Sequence, residues 1–269
     1  MRRCKTSLVV ALGLPAAVWG AREARGAWMA LDTFEGYTVG NLNGQGSWVT
    51  GGDRYKVSVD PTNASNKVWE AISGGTGDYA RKALASLAIA DGTTGTLFLR
   101  FRYVAAQDYA WGLSDEATPT TSFGSFEVQS GNAPAINPDA KGDVNFGARD
   151  GSTSDLLGKV QIVTNPQWHS VWYVVDSVNN QTSIYIQGGY WPSQTSLSDT
   201  GLDPTFTFRN GATNANALVT FLARRGGYML DDIYIDTTGQ NLTNPVPEPA
   251  VAGASALCAL GLLARRRRA

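Results

Sequence analysis

The chain has 269 residues with 22 Lys and Arg against 23 Asp and Glu, and much of the basic charge sits at the two ends. The middle is therefore acidic, which excludes a nucleic-acid partner. Its 2 cysteines, Cys4 and Cys258, lie in the end segments, and His169 is its 1 histidine, so the middle offers no disulfide, thiolate nucleophile or multi-histidine metal site.

The chain opens with Arg2, Arg3 and Lys5, followed by an apolar run over residues 8–18. That layout is a signal peptide's, and the run is well short of the ~20 residues needed to span a bilayer. Small residues around Gly26 and Ala27 give an exit for cleavage, so residues 1–26 are expected to be a signal helix that is removed. Residues 27–243 form one domain, rich in Gly, Asn, Thr and Ser and in Trp and Tyr, a composition suited to short strands joined by turns.

Alternation of period two predicts strands over residues 55–59, 67–72, 96–103, 109–113, 123–129, 144–149, 159–163, 206–209 and 218–223. In the third of these, Leu97, Leu99, Phe101 and Tyr103 share one face and Arg100 and Arg102 the other. Residues 79–89 have helical character. The preceding Gly75-Thr76-Gly77-Asp78-Tyr79-Ala80 fits a loose dinucleotide pattern, but no acidic residue follows at ~20 positions, so it carries no cofactor. Residues 167–176 and 182–189 read as a long hairpin around a polar turn, and residues 228–236 as a closing strand in which Asp231 shares a face with Ile233 and Ile235.

With the opening Leu31-Asp32-Thr33-Phe34-Glu35-Gly36-Tyr37 and Gly40-Asn41-Leu42, these segments resemble the concanavalin A-like lectin/glucanase superfamily, close to its laminin G-like members. The resemblance implies an all-β jelly-roll β-sandwich of two antiparallel sheets. It also implies that the first and last strands lie side by side and that the concave face holds a glycan. Glucanases of the superfamily carry Glu-x-Asp-x-x-Glu or Glu-x-Asp-x-Glu on one strand to supply acid and nucleophile. Here Glu127 stands alone, and the Gln-x-His strand of the lyases is absent, so a non-catalytic domain is expected.

Sugar recognition needs aromatic faces flanked by hydrogen-bonding groups. The candidates are Tyr109 and Trp111, Tyr190 and Trp191, the pair Trp69 and Glu70, and Glu127. Each aromatic is alternatively an ordinary core residue, and His169 between strand residues reads as structural or solvent-facing. The resemblance also implies a structural calcium ion tying the first strand to the last, with Asp32, Glu35, Asp231 and Asp232 as ligands and Asp231 reaching inward. The alternative is that the Asp231-Asp232 pair only ends a loop and keeps an edge soluble.

The chain closes with Val246-Pro247-Glu248-Pro249, an apolar stretch over residues 250–264, and Arg265-Arg266-Arg267-Arg268 before Ala269. The prolines keep the motif extended and accessible, and the arginines would hold the short helix at the cytoplasmic face. Residues 244–269 resemble the PEP-CTERM sorting tail, which implies an exosortase as processing partner and transient residence in the inner membrane. Delivery to the cell surface or extracellular matrix of a Gram-negative-type bacterium would follow. An extracellular polysaccharide is the expected partner of the domain. A divergent glycoside hydrolase or lyase, or a structural surface protein without ligand, are the alternatives.

Overall fold

The computed structural model describes residues 27–72, 77–105, 109–120, 123–131, 144–151, 153–162, 167–189, 191–197, 205–209 and 217–246. Residues 1–26, expected as a signal peptide, and the tail with Pro247, Glu248, Pro249, residues 250–264 and Arg265 to Arg268 lie outside them, as does Tyr190.

Short strands follow one another along the chain: β1 (Met29–Asp32), β2 (Gly40–Asn41), β3 (Val49–Thr50), β4 (Tyr55–Asp60), β5 (Asn63–Ala71), β6 (Tyr79–Ala83), β7 (Thr94–Tyr103), β8 (Ala110–Ser114) and β9 (Val128–Gly131). They continue with β10 (Val144–Asp150), β11 (Thr153–Ile162), β12 (His169–Asp176), β13 (Gln181–Gly188), β14 (Trp191–Leu197), β15 (Phe206–Thr207), β16 (Thr220–Arg224) and β17 (Tyr228–Asp236). They form two antiparallel sheets. The 10-stranded one runs β14-β13-β12-β7-β17-β5-β4-β2, with β1 on β17 and β15 on β13. The 7-stranded one runs β11-β10-β9-β8-β16-β6-β3. The architecture is the expected jelly-roll type of β-sandwich, and its first and last strands pair.

The two inner faces make the core. Leu97, Leu99, Phe101 and Tyr103 of β7 point inward as their alternation requires, meeting Trp111 and Leu113 of β8 and Phe221 of β16. Core polar atoms are tied across the layers: the Trp111 indole Nε1 donates to the Tyr173 hydroxyl over 2.9 Å, joining β8 to β12. His169 is buried in the same core, stacked on Phe101 at 5.2 Å, which fits a structural residue.

The outer face of the 10-stranded sheet is partly covered by Trp28 and by residues 237–243. Phe98 and Trp172 pack there, Trp28 meets Phe98 edge-on, and the Trp172 indole donates to the Thr243 carbonyl over 3.0 Å. Thr96 and Asn241 complete the strap, so residues 237–243 lie across this sheet.

One element departs from the sequence reading. Residues 79–89 hold β6 and a single 3-10 turn at Ala85–Leu87 rather than a helix. The composition of that stretch favours a helix, but β6 is hydrogen-bonded between β3 and β16, and pairing with two strands outweighs local propensity.

Candidate functional site

Tyr109 and Trp111 were expected to offer sugar-stacking faces. Both are fully buried, stacked on one another at 5.1 Å and packed on Tyr228, so they belong to the core. The reason is parity: they share the face of Leu113, which is the inward one. Trp69 is likewise a core residue, against Trp48 at 4.8 Å. Trp191, on the edge strand β14, is half-buried and turns its ring toward His169. These residues do not converge on one surface.

The carboxylates assigned to calcium fall in two places: Asp231 and Asp232 are neighbours with Glu35 within electrostatic reach of Asp232, and Asp32 is held elsewhere. Asp32 Oδ2 accepts from the Lys82 ammonium at 2.7 Å, from the Trp48 indole at 2.7 Å and from the Tyr37 hydroxyl, while Oδ1 accepts from the Phe34 amide at 2.8 Å. Lys82 thus fills the place given to a metal ion and clamps β1 of one sheet to β6 of the other. Burial and the Asp32 carboxylate together push the Tyr37 phenol well above its ordinary range. Glu35 accepts from the backbone amide of Lys67 at 3.0 Å.

Asp231 was expected to reach inward, and it faces outward. β17 carries a bulge after Asp231, where Asp232 takes a φ of 51°, a strained value for a residue with a side chain. Leu230 before the bulge and Ile233 after it both enter the core, and Asp231 pairs with outward-facing Arg100. There it accepts from Asn66 Nδ2 at 2.9 Å, and that same amide nitrogen donates to Asp60 at 3.2 Å. Arg100 binds Asp232 at 3.1 Å and stacks over Trp168 at 5.0 Å. Burial first, and then the neighbouring Asp232, push the Asp231 carboxyl up to about 8. Nitrogen donors surround these carboxylates, and among the described residues no group of three or more His, Cys, Asp or Glu is placed to hold a metal. The residues present do not fit a calcium ion.

The polar surface lies on the outer face of the 7-stranded sheet. The registers line up two rows across its strands. Gln129, Gly112, Leu222 and Arg81 make one, on β9, β8, β16 and β6. Gly147, Gly131, Ala110, Arg224 and Tyr79 make the other, from β10 to β6. Each alternates with inward core residues, so these side chains point away from the core. Arg149 follows two residues after Gly147 and shares its face.

The middle of the face is closed, because Phe126 packs on Ala110 and Leu222 with Tyr79 beside them. At one end Arg81 lies over the Tyr79 ring at 5.4 Å and donates to the Pro119 carbonyl. At the other, the short segment through β15 returns over β9. There the Arg209 amide donates to the Glu127 carbonyl at 2.8 Å, and its guanidinium donates to Gln129 Oε1 at 2.6 Å. Glu127, expected at a sugar site, is nearly buried beneath this crossing and lines a small recess with Gln129, Arg149 and Thr207. Burial above all, then the nearby Arg149 and Arg224, lower the Arg209 guanidinium's hold on its proton, and Glu127 opposes them. Arg81, Gln129, Arg149, Arg209 and Arg224 did not stand out in the sequence. Only their outward parity within each strand signals them, and Arg209 lacks even that.

No protein-family model matches the chain, and no curated protein matches it. Solved structures overlap it loosely. Peanut lectin bound to a nonamer peptide has TM-score 0.49 and 11% identity over 79% of this chain and 97% of its own. The lectin UEA-II complexed with galactose has TM-score 0.49 and 11% identity over 79% and 99%. The catalytic domain of a glycoside hydrolase family 131 protein from Coprinopsis cinerea has TM-score 0.43 and 10% identity over 82% and 96%. Overlaps of this quality carry no activity or ligand over to this chain.

Proposed function

We propose that the chain is an exported surface or matrix protein whose β-sandwich binds extracellular polysaccharide without cleaving it. The observation that carries the binding reading is the outer face of the 7-stranded sheet. There the amide of Gln129 and the guanidinium groups of Arg149 and Arg209 stand together at one end, and Arg81 lies over the ring of Tyr79 at the other. Guanidinium and amide groups are directional partners for sugar hydroxyls and ring substituents. The non-catalytic reading is supported by the carboxylates of that face. Glu127 is the one on β9's approach, it is nearly buried, and no second carboxylate follows it at the spacing that glycoside hydrolysis uses.

Export and sorting rest on the ends of the chain. Residues 1–26 serve as a signal peptide, residues 27–243 as the binding domain, and residues 244–269 as a tail recognised by an exosortase at Pro247-Glu248-Pro249. The protein then passes through the inner membrane to the cell surface. A glycan array probed with and without calcium tests the binding reading: binding to a polysaccharide in both conditions is expected, and binding to none favours a purely structural role. Release of reducing sugar or of unsaturated products from a polysaccharide panel would replace the non-catalytic reading with that of a hydrolase or lyase.

A further inference from the structure

We propose that the outer face of the 7-stranded sheet selects an anionic saccharide, one bearing carboxylate or sulfate groups, through Arg149 and Arg209 on either side of Gln129 with Arg224 behind them. This rests on the carbohydrate-binding reading and names the chemical class of its ligand. Three independent features of the fold bring these groups together. Arg149 is placed by β10, two residues past Gly147, on the outward face. Gln129 stands on the next strand, β9, opposite Gly112. Arg209 is carried in from the other sheet by the β15 segment. That segment pairs with β13 and is pinned by the Asp150 carboxylate, which accepts from the Thr207 amide at 2.8 Å. Its guanidinium then bonds Gln129 at 2.6 Å.

Arg224 lies in the adjacent row, level with Ala110 and Tyr79, and is buried. The charges of Arg149 and Arg224 and the Glu127 carboxylate all reach Arg209 at this end of the face, and the Asp150 carboxylate stands beside it on Thr207. Burial first, and then the like charges of Arg149 and Arg224, weaken the Arg209 guanidinium's hold on its proton. A neutral sugar relieves none of that repulsion, whereas a carboxylate or sulfate set between the guanidinium groups does. A guanidinium has five N–H donors in a planar fork, so one bonded to a protein acceptor still has donors for a bidentate contact with an oxyanion. Arg149, Gln129 and Arg209 are each partly exposed, and the small recess beside them is lined by Thr207 as well.

Affinity electrophoresis of the full chain in a non-ionic detergent tests this. The gels contain polygalacturonate, its fully methyl-esterified form, dextran sulfate or neutral dextran. The free-acid or sulfated polymer should retard the protein with a Kd at least about tenfold lower than that of the ester or of neutral dextran, and added salt should weaken the retardation. The R149Q/R209Q variant should lose that preference. The acid and ester contrast is also read on a full-length chain with Arg2, Arg3, Lys5 and Arg265 to Arg268 replaced by Gln, which keeps the cations of the two ends out of the comparison and decides the matter even where the double variant does not fold. The stronger of the carboxylated and sulfated polymers identifies which anion is meant. Equal retardation by acid, ester and neutral dextran overturns the anionic assignment and leaves carbohydrate binding standing. Retardation by none overturns both. Single-stranded DNA that retards the protein as strongly as the uronate polymer overturns selection of a saccharide.

Discussion

Replacing Asp32 by Asn tests whether its ion pair with Lys82 holds the two sheets together and whether Asp32 needs a metal ion. Three donors converge on Oδ2 of Asp32, and the Phe34 amide takes Oδ1. An amide has one acceptor oxygen, so either the triad or the backbone N–H must face its NH2 group. The pair itself is buried, with side-chain exposures of 14% for Lys82 and 5% for Asp32. At an effective dielectric of about 20, charges 2.7 Å apart attract by roughly 6 kcal/mol before desolvation is subtracted. Breaking one partner of such a pair costs on the order of 3–5 kcal/mol, because the other is left buried without a counter-charge. The remaining exposure of Lys82 places D32N at the lower end, near ~3 kcal/mol. In urea unfolding followed by tryptophan fluorescence that is a midpoint drop of roughly 1 M for a slope of about 3 kcal/mol/M. The double variant D32N/K82M should recover part of the loss, since no charge is then stranded. Chelator and calcium should leave every midpoint unchanged. A D32N midpoint equal to the parent's, or a loss that calcium reverses, refutes the clamp.

Three further outcomes follow from the core and the bulge. Tyr173→Phe strands the Trp111 indole N–H in the core and should cost about 1–3 kcal/mol. Pairing it with Trp111→Phe in a double-mutant cycle should give a coupling of roughly 1 kcal/mol or more, and additive losses would contradict the hydrogen bond across the layers. Asp231, raised to about 8 in the fold, holds a proton that the unfolded chain has already released above its ordinary range. Its contribution is therefore full in acid and is lost as pH rises toward 8, by up to about 1.4 kcal/mol per pH unit. Melting curves of the parent and of Asp231→Asn should diverge in slope between pH 5 and 8, whereas parallel curves would show that the carboxyl is ionised throughout. His169 works in the opposite direction: burial lowers it to about 4. Stability is lost as pH falls from its ordinary range toward that value, and His169→Phe should remove that acid-side decline. An unchanged acid limb in this variant would place the loss on other groups.

Alternation carried most of the fold. The strand with Leu97, Leu99, Phe101 and Tyr103 inward, and the hairpin of β12 and β13, were legible because each has a solvated or differently covered face, so period two is written into it. The same rule was available for Tyr109 and Trp111, whose shared face with Leu113 already marked them as core. Treating them as sugar platforms set residue type above parity. The helical reading of residues 79–89 failed in the other direction, since Ala, Arg, Lys and Leu are helix formers wherever no neighbouring strands claim the backbone. At Asp231 the rule was applied and misled, because one inserted residue reverses every face beyond it. The sequence does hold a trace of that insertion. Tyr228 and Leu230 fit one parity and Ile233 and Ile235 the other, so an unbroken strand could not bury both pairs. The cationic face left no trace of that kind. Its arginines come from separate strands and a crossing segment, and only the strand order of the 7-stranded sheet brings Arg149 and Arg224 to Arg209. A fold assembled from long-range pairings places its core by local pattern and its surface chemistry by topology. In such a chain the sequence reveals what is buried well before it reveals what is bound.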